Sequence, residues 1–135
     1  MRKDAELGSM QVVALYLSCL MLLLMMPHLV KMSLRYRLAE RGFHELQALY
    51  LAEGAIDMAV WQLNETGEIR ESPEGADVMI GPVSEDLSRF LVAGATIPFA
   101  GQPVREIVKV KLQQFMIVGG LPRWRVVSWQ RIGWK

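Results

Sequence analysis

Between Val12 and Val30 the chain reads VVALYLSCLMLLLMMPHLV, nineteen residues without a formal charge. At ~1.5 Å per residue a helix of this length spans about 28 Å, close to the ~30 Å hydrocarbon thickness of a bilayer. Only a helix or a closed barrel satisfies every backbone polar group in lipid, so the run predicts a helix. It is apolar around its whole circumference, unlike the one-sided stripe of a helix in a soluble core. Pro27 and His28 sit near its outer end, where a proline is tolerated and a histidine reaches the interface. A membrane-spanning helix is therefore the first expectation, with lipid as its surroundings.

What precedes and follows the run limits how it is used. A cleaved secretory signal has an apolar region of ~7–15 residues and then a small-x-small site. Here the run is longer, and Lys31-Met32-Ser33-Leu34-Arg35 offers no such site. Cleavage behind the helix is not expected. In front lies MRKDAELG, a short polar leader ending in Gly8 just before Ser9-Met10-Gln11-Val12-Val13. Arg2 and Lys3 flank one side of the run, and Lys31, Arg35, Arg37 and Arg41 flank the other. The positive-inside rule alone would put the C-terminal part in the cytoplasm.

The helical pattern continues past the run, in HELQALYLAEGAIDMAVWQLN from His44 to Asn64. Leu46, Leu49, Ile56, Val60 and Leu63 recur at helical spacing, and Ala48, Ala52, Ala55 and Ala59 occupy neighbouring positions. Small residues there would let another element approach closely. The expected helix runs from about Met10 to about Glu65, bent at Pro27 and softened at Gly42, with Gly67 as its C-terminal stop.

Leader, apolar run and the phrase Ala48-Leu49-Tyr50-Leu51-Ala52-Glu53-Gly54-Ala55-Ile56 together resemble the N-terminal region of PilX-type minor pilins and K-type pseudopilins. Those families belong to type IV pili and type II secretion, and carry a pattern like A-(F/L)-Y-L-A-E-A-G-I. Here its Ala-Gly is transposed to Gly54-Ala55. The resemblance covers Gly8 to about Asn64, under half of the chain. It implies a peptidase cut between Gly8 and Ser9, a single-pass bacterial inner-membrane protein with a periplasmic C-terminal domain, and incorporation into a filament. The implied partners are other pilin or pseudopilin subunits, the inner-membrane assembly platform and the prepilin peptidase. Subunit packing would fall to Val13, Leu17, Leu24, Leu46, Leu49, Ala52, Glu53, Ala55 and Ile56. One departure is informative: the family places a glutamate at the fifth mature position, which here is Val13. That carboxylate pairs with a neighbouring subunit's terminal amine, so its loss implies a minor, tip or priming subunit.

Beyond Gly67 the character changes. Glu68 to Asp77 is polar and reads as a loop, and short β-like runs follow at Val78–Ile80, Phe90–Val92, Val104–Phe115 and Arg123–Ile132. In Ile107-Val108-Lys109-Val110-Lys111-Leu112 the apolar residues alternate with lysines, as in a half-buried antiparallel strand. The fold class expected is α+β, pilin-like: a leader over 1–8, a transmembrane helix over 9–30, an amphipathic continuation over 31–66, and a small β-rich domain over 67–135. Val108, Val110 and Leu112 are expected to face the helix near Ile56 and Val60.

RWRVVSWQRIGWK, from Arg123 to Lys135, mixes Arg123, Arg125 and Arg131 with Trp124, Trp129 and Trp134. Such a run can grip phosphates and stack on bases, or anchor at a membrane interface. The plainer reading is a closing strand with Trp124 and Val126 on one face, Val127 and Trp129 on the other. A partner contact through Arg123, Trp124, Arg125, Trp129 and Arg131 ranks second, and nucleic acid is disfavoured. Fifteen Lys and Arg against fourteen Asp and Glu give no bulk attraction to a polyanion.

Chemistry is sparse. Cys19 is the only cysteine, so no intrachain disulfide forms, and His28 and His44 have no metal-ligand spacing. Neither a phosphate loop nor a G-x-S-x-G elbow occurs. Glu53 is expected to pair with a base of the sheet or of another subunit. No enzyme, cofactor or metal is expected. The rival reading is a single-span membrane protein whose small domain binds a cytoplasmic partner or nucleic acid through its C-terminal Arg/Trp run.

Overall fold

The computed structural model describes the backbone of residues 2–133 and the side chains of Gly8 and residues 10–133. One helix and four strands follow in order: α1 (Arg2–Thr66), β1 (Ala76–Ile80), β2 (Ser88–Ile97), β3 (Val104–Val118) and β4 (Leu121–Ile132). The architecture is α+β, a long apolar N-terminal helix whose later part packs on a four-stranded antiparallel sheet. α1 starts at Arg2 and not near Met10, and it continues through Pro27 and Gly42. The chain divides into two compact units, Met1–Glu40 and Arg41–Lys135.

In the first unit every described residue from Met10 to Glu40 is exposed. The helix there is long and apolar enough to cross a membrane. Within its uncharged run the Ser18 hydroxyl is satisfied locally, since Ser18 Oγ donates to the Ala14 carbonyl at 2.8 Å. In lipid, that bond removes a polar group that would otherwise lack a partner.

In the second unit the sheet is an up-and-down meander in the order β1-β2-β3-β4. Gly119 and Gly120, at φ 60° and 84°, supply the two positive-φ residues of a tight two-residue hairpin between β3 and β4. Leu121 and Pro122 already belong to β4, and Ala76 and Asp77 to β1, so both strands start earlier than the sequence pattern suggests.

The core lies between α1 and the central strands. Ala48, Ala52, Ala55, Ile56, Ala59 and Leu63 of the helix bury against Leu91, Ala93 and Ala95 of β2 and Val108, Val110 and Leu112 of β3. The alternation read in β3 holds: its valines and Leu112 face the helix. They meet Ile56, with Val60 packed beside it, as expected, but Leu46, at the start of that stripe, does not join them. The alanine positions meet the sheet, whereas Leu46 is 50% exposed and Leu49 only half-buried. Short side chains at Ala52, Ala55, Ala93 and Ala95, all buried in this core, let helix and strands approach closely. Ala52, Ala55 and Ile56 are consequently filled by the chain's own sheet and cannot pack a second subunit as the resemblance implied.

Two irregularities set which way β4 faces. Leu112 pairs with Val126 and Lys111 with Ser128, leaving Val127 as an extra residue; Gln114 pairs with Trp124 and Met116 with Arg123, leaving Phe115 extra on β3. Trp124 and Val126 share the helix-facing side, as expected. Past the bulge, Trp129 pairs with Val110 and Arg131 with Val108, so both return to that side. The expectation that Trp129 faces away is corrected by this one-residue insertion. Trp129 is nevertheless 47% exposed, because β4 is an edge strand.

Adjacent residues on α1 should respond oppositely to the same change. Ala55→Leu forces a larger side chain into a filled seam and should cost about 1–3 kcal/mol. Gly54→Leu, where an added Cβ meets nothing within 4 Å, should gain up to about 1 kcal/mol from helix propensity. Denaturant unfolding of the detergent-solubilised chain, followed by tryptophan fluorescence, checks both signs.

Candidate functional site

Polar side chains tie the end of α1 to the chain that follows it. Gln62, buried, accepts from the backbone N–H groups of Arg70 (2.8 Å) and Glu71 (3.2 Å) and donates to the Glu71 carbonyl (3.0 Å). Asn64 accepts from the Trp124 N–H at 2.7 Å and donates to its carbonyl at 3.2 Å, acting as one more strand beside β4. Nothing in the hydrophobic periodicity singles out Gln62, although an amide one turn before a helix end is a fitting donor–acceptor clamp.

The C-terminal basic run is spread over several environments. Trp124 is buried, with the Arg89 guanidinium 5.5 Å from its ring centre. Arg123 pairs with Glu65 of α1 at 3.3 Å, and Arg125 is exposed. Arg131 holds the buried Glu106 carboxylate through both oxygens, at 2.8 and 2.9 Å. That carboxylate raises the Arg131 pKa above its ordinary value, first through the hydrogen bond and then through its charge. Two of the three arginines are thus engaged within the fold, and Trp124 cannot stack on a base. Trp134 and Lys135 lie outside the described residues.

Beside this pair is an open cavity of about 500 Å³, lined among others by Arg41, Glu45, Phe99, Pro103, Arg105 and Glu106. Arg41 bonds Glu45 at 3.1 Å, and the His44 ring stands 4.8 Å from that of Phe99. No group of His, Cys, Asp and Glu among the described residues could hold a metal ion. Glu53 is half-buried and forms no ion pair among the described residues, so the expected bond to a base of the sheet is absent. His28 and Cys19 lie on the exposed apolar part of α1.

The other residues singled out for packing stand uncovered. Val13, Leu17 and Leu24 are 56–66% exposed. Gly8, within α1, is exposed, and the side chain of Ser9 lies outside the described residues. On the face of α1 turned from the sheet, Phe43, Leu46, Tyr50 and Trp61 are all at least half exposed. With Gly54 and Asp57 they fall at spacings of three and four, one continuous stripe. Uncovered apolar side chains run along much of the described part of α1.

No protein-family model, curated protein or solved structure matches the sequence. Function has to be argued from the surfaces themselves.

Two polar contacts yield direct tests. Arg131→Ala leaves the Glu106 carboxylate buried without its partner and should cost about 1–3 kcal/mol in urea unfolding. Asp86 accepts from Ser88 Oγ at 2.7 Å and from Lys111 Nζ at 3.2 Å, and these bonds, Ser88 first, hold its carboxyl below the ordinary aspartate value. A depressed acid stabilises the fold above its unfolded pKa and loses that contribution as pH falls through the folded one. Stability should therefore drop on acidification below about pH 4. Asp86→Asn should make that acid limb shallower, as read by unfolding midpoints between pH 2 and 6 (on the order of the carboxylate range).

Proposed function

We propose that the chain is a non-enzymatic minor pilin or pseudopilin-like subunit of a type IV pilus or type II secretion filament. The observation that carries this reading is the division of labour along α1. Its apolar N-terminal stretch is uncovered at every described residue from Met10, while its later part is packed by the chain's own sheet. A lone domain gains nothing from carrying such an uncovered rod. A subunit held first by lipid and then by neighbouring helices does, because packing and interhelical contacts replace lipid contacts when it is withdrawn.

In this reading Gly8 ends the leader and Ser9 begins the mature chain. Leu17 and Leu24 supply packing knobs within the filament core, and Val13 packs without the buried charge pair of a repeating subunit. A subunit lacking that carboxylate suits a tip or priming position, above which no terminal amine has to be neutralised. The sheet-bearing domain is periplasmic, and the partners are other pilin-type subunits, the assembly platform and the prepilin peptidase.

The basic flank from Lys31 to Arg41 favours a second reading, a single-span protein with a cytoplasmic sheet domain. One preparation separates them: the N-terminus of the membrane-held chain is sequenced with and without the peptidase, and protease accessibility fixes the side of the C-terminus. The filament reading expects a peptidase-dependent start at Ser9 and a periplasmic domain. An intact Met1 with a cytoplasmic domain would overturn it.

A further inference from the structure

Where the uncharged run of α1 ends, the helix surface carries a groove with two kinds of lining. Leu29, Val30, Ser33, Leu34 and Arg37 border this open groove of about 410 Å³. Leu29, Ser33 and Arg37 follow one another at steps of four, and Val30 and Leu34 belong to the next such row. The short side chain of Ser33 lowers the middle of the first row. Leu29, Val30 and Leu34 are 57–65% exposed and make the end nearer the apolar run greasy. Arg37 makes the other end basic.

Helix geometry fixes the depth of that basic end. Arg37 stands seven residues past Val30, ~10 Å along the axis at ~1.5 Å per residue. Helical side chains lean toward the N-terminus, so Arg37 covers the turn before it, as its place in the groove shows. With the hydrocarbon boundary at Val30, the guanidinium lies in the headgroup layer, about 5–8 Å thick on each side of the bilayer. Charge in this stretch is of one sign. No Asp or Glu stands between Leu7 and Ala39, whereas Lys31, Arg35 and Arg37 do. None of these three forms an ion pair among the described residues, with Glu40 or any other acid. The planar fork of an arginine matches a phosphate through two parallel hydrogen bonds. An acidic protein segment would suit only the basic end of the groove. An amphiphile with an anionic head suits both ends.

We propose, resting on the membrane insertion common to both readings above, that this groove holds one anionic phospholipid. Its phosphate sits on Arg37 and the Ser33 hydroxyl, and an acyl chain lies between Leu29 and Leu34. A zwitterionic head carries its own cation, which competes with Arg37 for the phosphate, so a preference for net-anionic heads is the signature. Arg35 supplies an internal control. It lies at nearly the same depth as Arg37 but about 160° round the helix from it, away from the groove.

The test uses the full chain in nanodiscs made of phosphatidylglycerol and phosphatidylcholine in equal amounts, with matched acyl chains. Native mass spectrometry of the released chain should find phosphatidylglycerol retained at least about fivefold over phosphatidylcholine, the equivalent of ~1 kcal/mol. Arg37→Gln, which removes the phosphate fork, and Ser33→Leu, which fills the groove, should each abolish the preference. Arg35→Gln loses the same charge on the opposite face and should keep it. Equal retention of the two lipids would overturn the proposal. Equal losses in Arg35→Gln and Arg37→Gln would also overturn it, being the mark of diffuse attraction to the whole basic flank. A chain that alkaline carbonate strips from the bilayer would overturn the membrane insertion itself, and the lipid site with it, so the two failures are told apart.

Discussion

The seam between the alanines of α1 and the middle of the sheet is the contact on which the folded domain depends. Ala48, Ala52, Ala55 and Ala59 keep the helix surface low, so Ile56 and Leu63 can pack against the residues of β2 and β3. A domain this small has little core to spare, and among the described residues no second layer covers the other side of the sheet. The remaining fixings are arranged around this seam. Gln62 and Asn64 close the end of the helix onto the following loop and β4, and the Arg131–Glu106 pair fastens the far part of β4 to β3.

Much of this was legible in the sequence. The uncharged run before Lys31 could hardly be anything but a helix. The valine–lysine alternation from Ile107 to Leu112 named both a strand and its inward face. The face of the helix was harder. Leucine and alanine stripes lie side by side on it, and periodicity identifies both without ranking them. Size ranks them: a sheet comes closer over alanine, which leaves Leu46 and the aromatic residues outside. The orientation of Trp129 was hidden for another reason. A bulge has no dependable signature in Arg125-Val126-Val127-Ser128, yet one extra residue reverses the side of everything after it.

The ion pairs of the chain and its surface character belong together. Several of its charged groups are used as fasteners (Arg123 to Glu65, Lys111 to Asp86, Arg41 to Glu45), and much of the described surface of α1 is apolar. The Arg/Trp run shows how composition can mislead here. As a string of letters it resembles a nucleic-acid grip, but folding buries Trp124 and engages Arg123 and Arg131 within the chain. The legible part of the candidate surface was the uncovered apolar helix.

The way α1 carries the domain has a mechanical consequence. From Ala48 to Leu63 the helix forms one side of the domain's core. A pull along the helix axis therefore loads the alanine seam in shear, with Ile56, Leu63 and the Asn64 amide resisting together. A sideways pull would instead peel the contacts apart one after another. A domain fixed in this way keeps its grip best when it is hauled by its own helix.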